Sequence, residues 1–382
     1  MMLPGRPGAS GTVQPDDLQY MTLALRLAEK GRGKTSPNPM VGALVISKGR
    51  IVGQAYHHAA GQAHAEALAL RQAGPRARGA TLYVTLEPCS HLKKRTPPCV
   101  PAVIRSGVRR VVVAMVDPNP LVRGKGIAQL RRAGIRVTVG VARQEAEELN
   151  RAYCHWVRTK RPYAILKAGM TLDGQIATAG GESKWITGLQ SRREVHRLRS
   201  AVDGVIVGIG TVLRDDPSLT ARRPPRMTAL AATQPCRIVV DSRLRIPRSA
   251  RILGQQSRAK TVIATTKAAP KARLRLFEKQ GIEVLVLPGE RERVSLKQLL
   301  AILGHRGMIS VMVEGGGELN AAFLRSKLVN HVRLYVAPTL LGGTRSKGVI
   351  GGPSPRRLAD AWELKQVRTR SLGTDVVVEG DL

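Results

Sequence analysis

At 382 residues the chain is too long for one ordinary domain and fits two of moderate size, each able to bury its own core. Hydrophobic content of 43%, with 39 Gly and 23 Pro, reads as a soluble globular protein, and no apolar run approaches the roughly 18 residues of a membrane span. The formal net charge of +35 is spread over both halves; with only two Phe, three Trp and six Tyr the chain lacks the aromatic platforms of a single-strand binder, so a nucleic-acid partner is disfavoured.

Residues 1–16 read as a flexible tail, basic but without the apolar core of a secretory signal. Asp16 and Asp17 then precede a helical pattern through Leu18, Met21, Leu25 and Ala28, with Gly31 expected as its left-handed cap. "MVGALVIS" and "IVGQAYH" form a hairpin around Lys48, Gly49 and Arg50, and a helix is expected from Ala63 to Ala73. Strand "ATLYVTL", a cysteine-bearing loop, helix "CVPAVIRSG", strand "RRVVVAMV", helix "GIAQLRRAG" and strand "IRVTV" follow, then one helix over "RQEAEELNRAYCHW". Polar and Pro content rises at "RTKRP", which sets the domain border near 160. From 161 to 382 strands and helices alternate again, with "RRPPRMTALAATQP" as a surface loop. Both domains, 17–160 and 161–382, therefore read as α/β layers. Four cysteines with Cys154 and Cys236 isolated make no disulfide framework, which favours a reducing cytoplasm. The sequence leaves homo-oligomerisation open.

His64, Cys89 and Cys99 supply the imidazole and two thiolates that a catalytic zinc takes as protein ligands. His64 and Cys99 are each expected at a helix N-terminus, where exposed N–H groups favour thiolate and hydroxide. Glu66, two residues after His64, is too close along the helix to be a co-ligand but can carry a proton from water to a leaving amine. Two plainer alternatives stand beside this: a closed zinc knuckle with His91 or His57 as fourth ligand, or buried thiols and a core histidine. The zinc deaminase pattern of H-x-E followed by P-C-x-x-C is met in its first half only, because nine residues rather than two separate the cysteines.

"NPMVGALV", "HAEALAL" and "TLEPCSH", continued by "RTPPC", closely resemble the bifunctional riboflavin-biosynthesis deaminase/reductase family. The resemblance implies a cytidine-deaminase-like three-layer domain that deaminates a phosphoribosylamino diaminopyrimidinone on zinc. It also implies a dihydrofolate-reductase-like domain that uses NADPH to reduce the ribosyl chain, with a phosphorylated pyrimidine as the partner. Asn38 becomes a substrate contact. The chain departs from the family in "HLKKRTPPC", where Leu92, Lys93 and Lys94 stand in place of a shorter His-Gly loop. Two rivals remain: a nucleic-acid-binding protein that keeps a deaminase-like zinc module, and a tRNA or nucleoside deaminase, which the long cysteine spacing weakens.

In the second half, Gly315, Gly316 and Gly317 lie between a strand and a helix, where backbone N–H groups can approach phosphate, although a simple left-handed turn would also use glycine there. "VGIGTVLRDDP" lacks the third glycine of a doubly wound dinucleotide fold, which excludes that fingerprint. "LKAGMTLDGQIAT", "GESKWIT", "TVLRDDPSLT" and "VVDS" extend the resemblance. By position it implies NADPH contacts at Gly169, Trp185, Thr211, Asp215, Ser242 and the three glycines. Ser183, Arg199, Arg222 and Glu314 become substrate contacts, the arginines suiting a phosphate.

Overall fold

The structure is a computed structural model that describes residues 12–91, 96–222, 233–254, 259–290 and 292–382. The expected tail up to residue 11, Leu92, Lys93 and Lys94 of the cysteine loop, and most of the loop around residue 225 lie outside the described residues. The chain divides into two compact units, Met1–Thr159 and Lys160–Leu382.

The first unit runs α1 (Asp17–Glu29), β1 (Gly42–Ser47), β2 (Arg50–Tyr56), α2 (Ala65–Ala73), β3 (Thr81–Leu86), α3 (Cys99–Arg105), β4 (Arg110–Met115), α4 (Lys125–Arg132), β5 (Arg136–Val139), α5 (Arg143–Leu149) and α6 (Arg151–Thr159). Its sheet has the order β2-β1-β3-β4-β5, antiparallel across the β1–β2 hairpin and β1–β3, parallel across β3–β4–β5. Every residue of β4 is buried, and the "VVVAM" run explains why: a parallel strand covered on both faces has no solvent side to leave polar. Helix α1 packs with α5, while α2, α3 and α4 contact one another in succession.

Three sequence expectations shift here for physical reasons. Asp17, expected to precede the helix, is the first residue of α1 and fully buried; its carboxylate takes both Arg110 Nη1 and Nη2 at 2.7 Å and the Tyr83 hydroxyl at 2.9 Å. Gly31 is not in the left-handed region, which falls to Gly33 (φ 74); instead a Cβ on Gly31 would lie 2.9 Å from the His57 carbonyl oxygen. The helix expected over 143–156 breaks at Asn150, whose side-chain amide exchanges two hydrogen bonds with the backbone of Met40, at 2.8 and 3.0 Å. That pair fixes the segment carrying Asn38.

The second unit runs β6 (Tyr163–Thr171), β7 (Gln175–Ala177), α7 (Leu189–Ala201), β8 (Gly204–Gly208), α8 (Ile209–Asp215), β9 (Cys236–Val240), β10 (Thr261–Thr265), α9 (Lys271–Lys279), β11 (Glu283–Val286), β12 (Gly289–Glu290), β13 (Arg293–Val294), α10 (Leu296–His305), β14 (Ser310–Val313), α11 (Gly317–Arg325), β15 (His331–Ala337), β16 (Lys347–Gly348), β17 (Lys365–Leu372) and β18 (Asp375–Asp381). Nine strands make the main sheet, in the order β11-β10-β9-β8-β14-β6-β15-β18-β17, parallel from β11 to β15 and antiparallel at β18 and β17. Alternate residues divide between two cores. Ile206, Ile238, Ala264 and Val311 pack with α10 and α11, whereas Val205, Val207, Val239, Ile263 and Met312 pack with Phe277 of α9. Helices thus cover both faces, and the carboxyl ends of β14, β8 and β9 lie side by side, where open α/β sheets bind ligands.

Candidate active sites

In the first unit β3 delivers Glu87, Pro88 and Cys89 as it ends, and Cys99 opens α3. The Cys99 N–H donates to the Cys89 carbonyl at 3.0 Å and approaches Cys89 Sγ at 3.3 Å, so the helix N-terminus holds the first sulfur in place. His64 is the N-cap of α2. Its Nδ1 lies 3.2 Å from Cys99 Sγ and 3.5 Å from Cys89 Sγ, and its Nε2 lies 3.1 Å from Thr96 Oγ1. With Nδ1 turned to both sulfurs, the ring proton belongs on Nε2, donated to the threonine hydroxyl. The three donor atoms all fall within 4.8 Å of one another, the only such group of metal-ligating side chains found among the described residues.

Two thiols and one imidazole nitrogen meeting around one point are a donor set that fits zinc, with the outward ring nitrogen anchored as a metal-bound histidine usually is. Glu66 is buried beside them in the same cavity of about 460 Å³. Burial, and then the Cys89 sulfur, push its carboxyl above the ordinary range, while His64 pulls the other way.

The knuckle alternative loses one of its two fourth ligands. His57 is occupied on both nitrogens, by the Ala63 carbonyl at 3.2 Å and by Asn38 Nδ2 at 3.1 Å. Burial outweighs the Ala63 hydrogen bond and lowers its pKa, with His64 and His58 adding to the fall, so the ring is neutral and accepts from Asn38. Asn38 lines the cavity, its amide oriented by that ring.

Sequence reasoning missed the opposite wall. Asp117 and Asn119 line the cavity from the loop after β4, and Tyr153 donates to Asp117 at 3.0 Å. Burial raises the Asp117 carboxyl to about 6 against its hydrogen bonds to Asn119 and Tyr153. The signal was present in "DPNP", an acid and an amide each followed by proline at the carboxyl end of a parallel strand. Glu87 was missed too. Its carboxylate accepts the N–H groups of Gly126 (2.9 Å), Ile127 (3.2 Å), Gly124 (2.9 Å) and Asp117 (3.3 Å), capping α4 and tying it to the Cys89 loop.

In the second unit the three glycines have three different reasons. A Cβ on Gly315 would meet Leu319 at 2.7 Å, and one on Gly317 would meet the Gly348 carbonyl at 2.7 Å and the Gly351 nitrogen at 2.9 Å. On Gly316 it would meet only Thr211 Oγ1, at 3.6 Å. None of the three has a positive φ, so the turn is not left-handed. Gly316, Gly317 and Thr211 line a cavity of about 400 Å³ that also holds Arg214 and Lys347. A glycine-walled cavity with two cations at a helix N-terminus fits a dinucleotide's pyrophosphate. Ser242 lines a neighbouring cavity of about 510 Å³.

The remaining expected contacts are more dispersed. Asp215, at the end of α8, accepts from the Ser183 hydroxyl at 3.2 Å, which ties two expected residues together. Trp185 is 73% exposed, with the Arg192 guanidinium 4.7 Å from its ring centroid. Gly169 lies in β6 against Thr187, whose Cγ2 would stand 3.1 Å from an added Cβ. Arg199 turns its fork on Glu314, Nε to Oε1 at 2.7 Å and Nη2 to Oε2 at 2.8 Å, so the two pair with each other. Lys167 Nζ stands 3.7 Å from Glu314 Oε2, a neighbour the sequence did not single out. Burial alone would raise the Glu314 carboxyl, but the charges and hydrogen bonds of Arg199, with Lys167, bring it down to about 2. Arg222 is exposed and donates its backbone N–H to His196 at 3.3 Å.

Two family profiles match the chain: the RibD C-terminal domain over residues 162–378, and the cytidine and deoxycytidylate deaminase zinc-binding region over 14–115. The riboflavin biosynthesis protein RibD of Aquifex aeolicus is 45% identical over 362 residues, covering 95% of this chain and 97% of that protein. Its namesake from Escherichia coli is 42% identical over 367 residues, covering 94% and 98%. Among solved structures, RibD of Acinetobacter baumannii superposes with a TM-score of 0.85 at 36% identity, covering 96% of this chain and 99% of that one. A diaminohydroxyphosphoribosylaminopyrimidine deaminase/5-amino-6-(5-phosphoribosylamino)uracil reductase of Thermotoga maritima superposes with 0.83 at 32% identity, covering 96% and 98%.

Proposed function

The chain belongs to the RibD family of riboflavin biosynthesis proteins, and from that premise we propose which of its residues carry the two reactions. It is a bifunctional enzyme, a zinc-dependent deaminase joined to an NADPH-dependent reductase, acting on a phosphorylated pyrimidine. The first reaction hydrolytically deaminates 2,5-diamino-6-(5-phosphoribosylamino)pyrimidin-4(3H)-one, and the second reduces the ribosyl chain to ribityl. The rival reading, a nucleic-acid-binding protein with a deaminase-like zinc module, has no support among these relatives. We assign deamination to 17–160 and reduction to 161–382, a division supported by the two compact units. A cytoplasmic location is part of the reading, supported by a site that needs Cys89 and Cys99 reduced. Among the described residues no helix is long and apolar enough to cross a membrane.

For deamination, His64 Nδ1, Cys89 Sγ and Cys99 Sγ would hold the zinc. When bound, the metal supplies Lewis-acid activation of water at neutral pH. Glu66 carries the proton: its buried carboxylate accepts one from the attacking water and returns it to the departing amine nitrogen as the exocyclic C–N bond breaks. Asn38, oriented by neutral His57, hydrogen-bonds the pyrimidine from one wall, and Asp117 and Asn119 face it from the other.

For reduction, NADPH supplies the hydride. The backbone at Gly315, Gly316 and Gly317, with Thr211, receives the pyrophosphate. Gly169, Trp185, Asp215 and Ser242 line its further course, Asp215 in company with Ser183. Glu314 is held ionised by Arg199 and Lys167 at the end of β14, so Arg199 acts through Glu314, which leaves the exposed Arg222 side chain for the substrate phosphate. One observation carries the reading: two thiols and a histidine nitrogen converge beside a buried glutamate. The test supplies the diaminopyrimidine substrate with NADPH and follows ammonia and NADPH separately. Removing zinc should abolish ammonia release while NADPH is still consumed on the already deaminated substrate; ammonia release that survives zinc removal would overturn the reading.

A further inference from the structure

The two cavities of the second unit share a wall made of Gly208, Gly210, Glu318 and Leu319, so they form one trough across neighbouring strand ends. The sheet order gives that trough a direction. Strand β6 carries Lys167 and Glu314 directly follows β14, both half-buried, while the glycine cavity lies above β14 and β8 and the second cavity above β8 and β9. A dinucleotide whose hydride end faces Lys167 and Glu314, and whose pyrophosphate faces Gly316 and Gly317, therefore lays its adenosine in the second cavity.

The floor of that cavity is apolar, with Val240, Val294, Leu296 and Ala322 suited to a flat base. Its rim is not. Arg243 and Arg245 follow β9, and Arg293 comes from the short β12–β13 hairpin, drawn close by the Val294 N–H bond to Ser242 Oγ at 3.1 Å. Arg245 makes no side-chain hydrogen bond or ion pair among the described residues, while Arg243 and Arg293 meet only exposed acids, Glu292 at 2.8 Å and Glu318 at 3.7 Å. Three guanidinium groups around an apolar slot suit a nucleoside that bears a phosphate of its own. The pyrophosphate does not need them, since Arg214 and Lys347 already stand in its cavity.

Resting on the reductase reading, we propose that Arg243, Arg245 and Arg293 read the 2′-phosphate of the adenosine ribose and so select NADPH over NADH. The phosphate takes the place that Glu292 and Glu318 hold at the rim. The test measures Kd for NADPH, NADH and 2′,5′-ADP on the full zinc-loaded chain and on R243Q, R245Q and R293Q, singly and combined. All three side chains are exposed, and a melting curve checks that the variants fold. The combined variant should bind NADPH and 2′,5′-ADP at least about tenfold more weakly and NADH within about twofold of the unaltered chain. R214Q serves as the contrast and should weaken both dinucleotides alike. Equal losses for NADPH and NADH in the combined variant, or no loss for either, would overturn the assignment. An unaltered chain that binds neither dinucleotide would instead sink the reductase reading on which it rests.

Discussion

In the first unit two of the three candidate zinc ligands are held by immediate neighbours, Cys89 by the N–H of Cys99 and His64 by Thr96, all within a stretch of the chain from 64 to 99. The second unit spreads its candidate cofactor contacts over the ends of β14, β8 and β9 and over β16 at Lys347, more than a hundred residues apart in the chain. A small ion needs convergence, whereas an extended dinucleotide needs a trough. The consequence is a difference in fragility. One altered side chain should abolish the first chemistry, while the second should decline by steps.

Glu66→Gln is the sharpest test of that fragility. The amide keeps its shape and can still accept a hydrogen bond, but it cannot carry a proton, so zinc should be retained while ammonia release falls by roughly 10² to 10⁴. NADPH oxidation on the deaminated substrate should be unchanged. Metal content and both rates on one preparation check it, and near-normal deamination in a zinc-replete variant would remove Glu66 from its role.

A graded loss is expected at Gly316. Its φ of −76° suits any residue, and an added Cβ would meet only Thr211 Oγ1 at 3.6 Å, so Gly316→Val should fold. Where the pyrophosphate approaches that backbone, the valine side chain takes its space and displaces charge-assisted hydrogen bonds worth roughly 1.5 to 3 kcal/mol each. NADPH affinity should fall at least about tenfold with an unchanged melting temperature. Unaltered affinity in the folded variant would move the cofactor away from the glycine turn.

The smallest expected effect is on stability. Glu314 has a folded pKa of about 2 against an ordinary value of 4.5, and a depressed pKa means that the unfolded chain binds more protons between those values. Its contribution is therefore present above about pH 4.5 and is lost as pH falls toward 2. Denaturant midpoints of the second unit, followed from pH 5 downward, should drop less steeply in Glu314→Gln than in the unaltered chain. Equal slopes would show that the Arg199 pair does not govern acid stability.

What the sequence disclosed follows the same contrast. The meeting of His64, Cys89 and Cys99 near Glu66 was legible because few residue types suit a zinc site and their spacing survives in one line of text. Strand and helix alternation was legible from hydrophobic period, down to the continuous apolar run of β4. Glu87 was not, since capping a helix 38 residues downstream leaves no local pattern. Asp17 looked like a helix-opening acid and proved to be half of a buried pair with Arg110, 93 residues away. Arg199 looked like a phosphate ligand because arginine forks suit phosphate, yet that fork is taken by Glu314. Each case is a long-range partnership, which spacing along a chain does not record.

The most direct test of the division into two independent sites is the zinc content of Cys99→Ser, measured together with its two activities. The variant should lose zinc and ammonia release while keeping NADPH-dependent reduction of the deaminated substrate. A folded Cys99→Ser protein that retained its zinc, or that lost both activities together, would contradict the account.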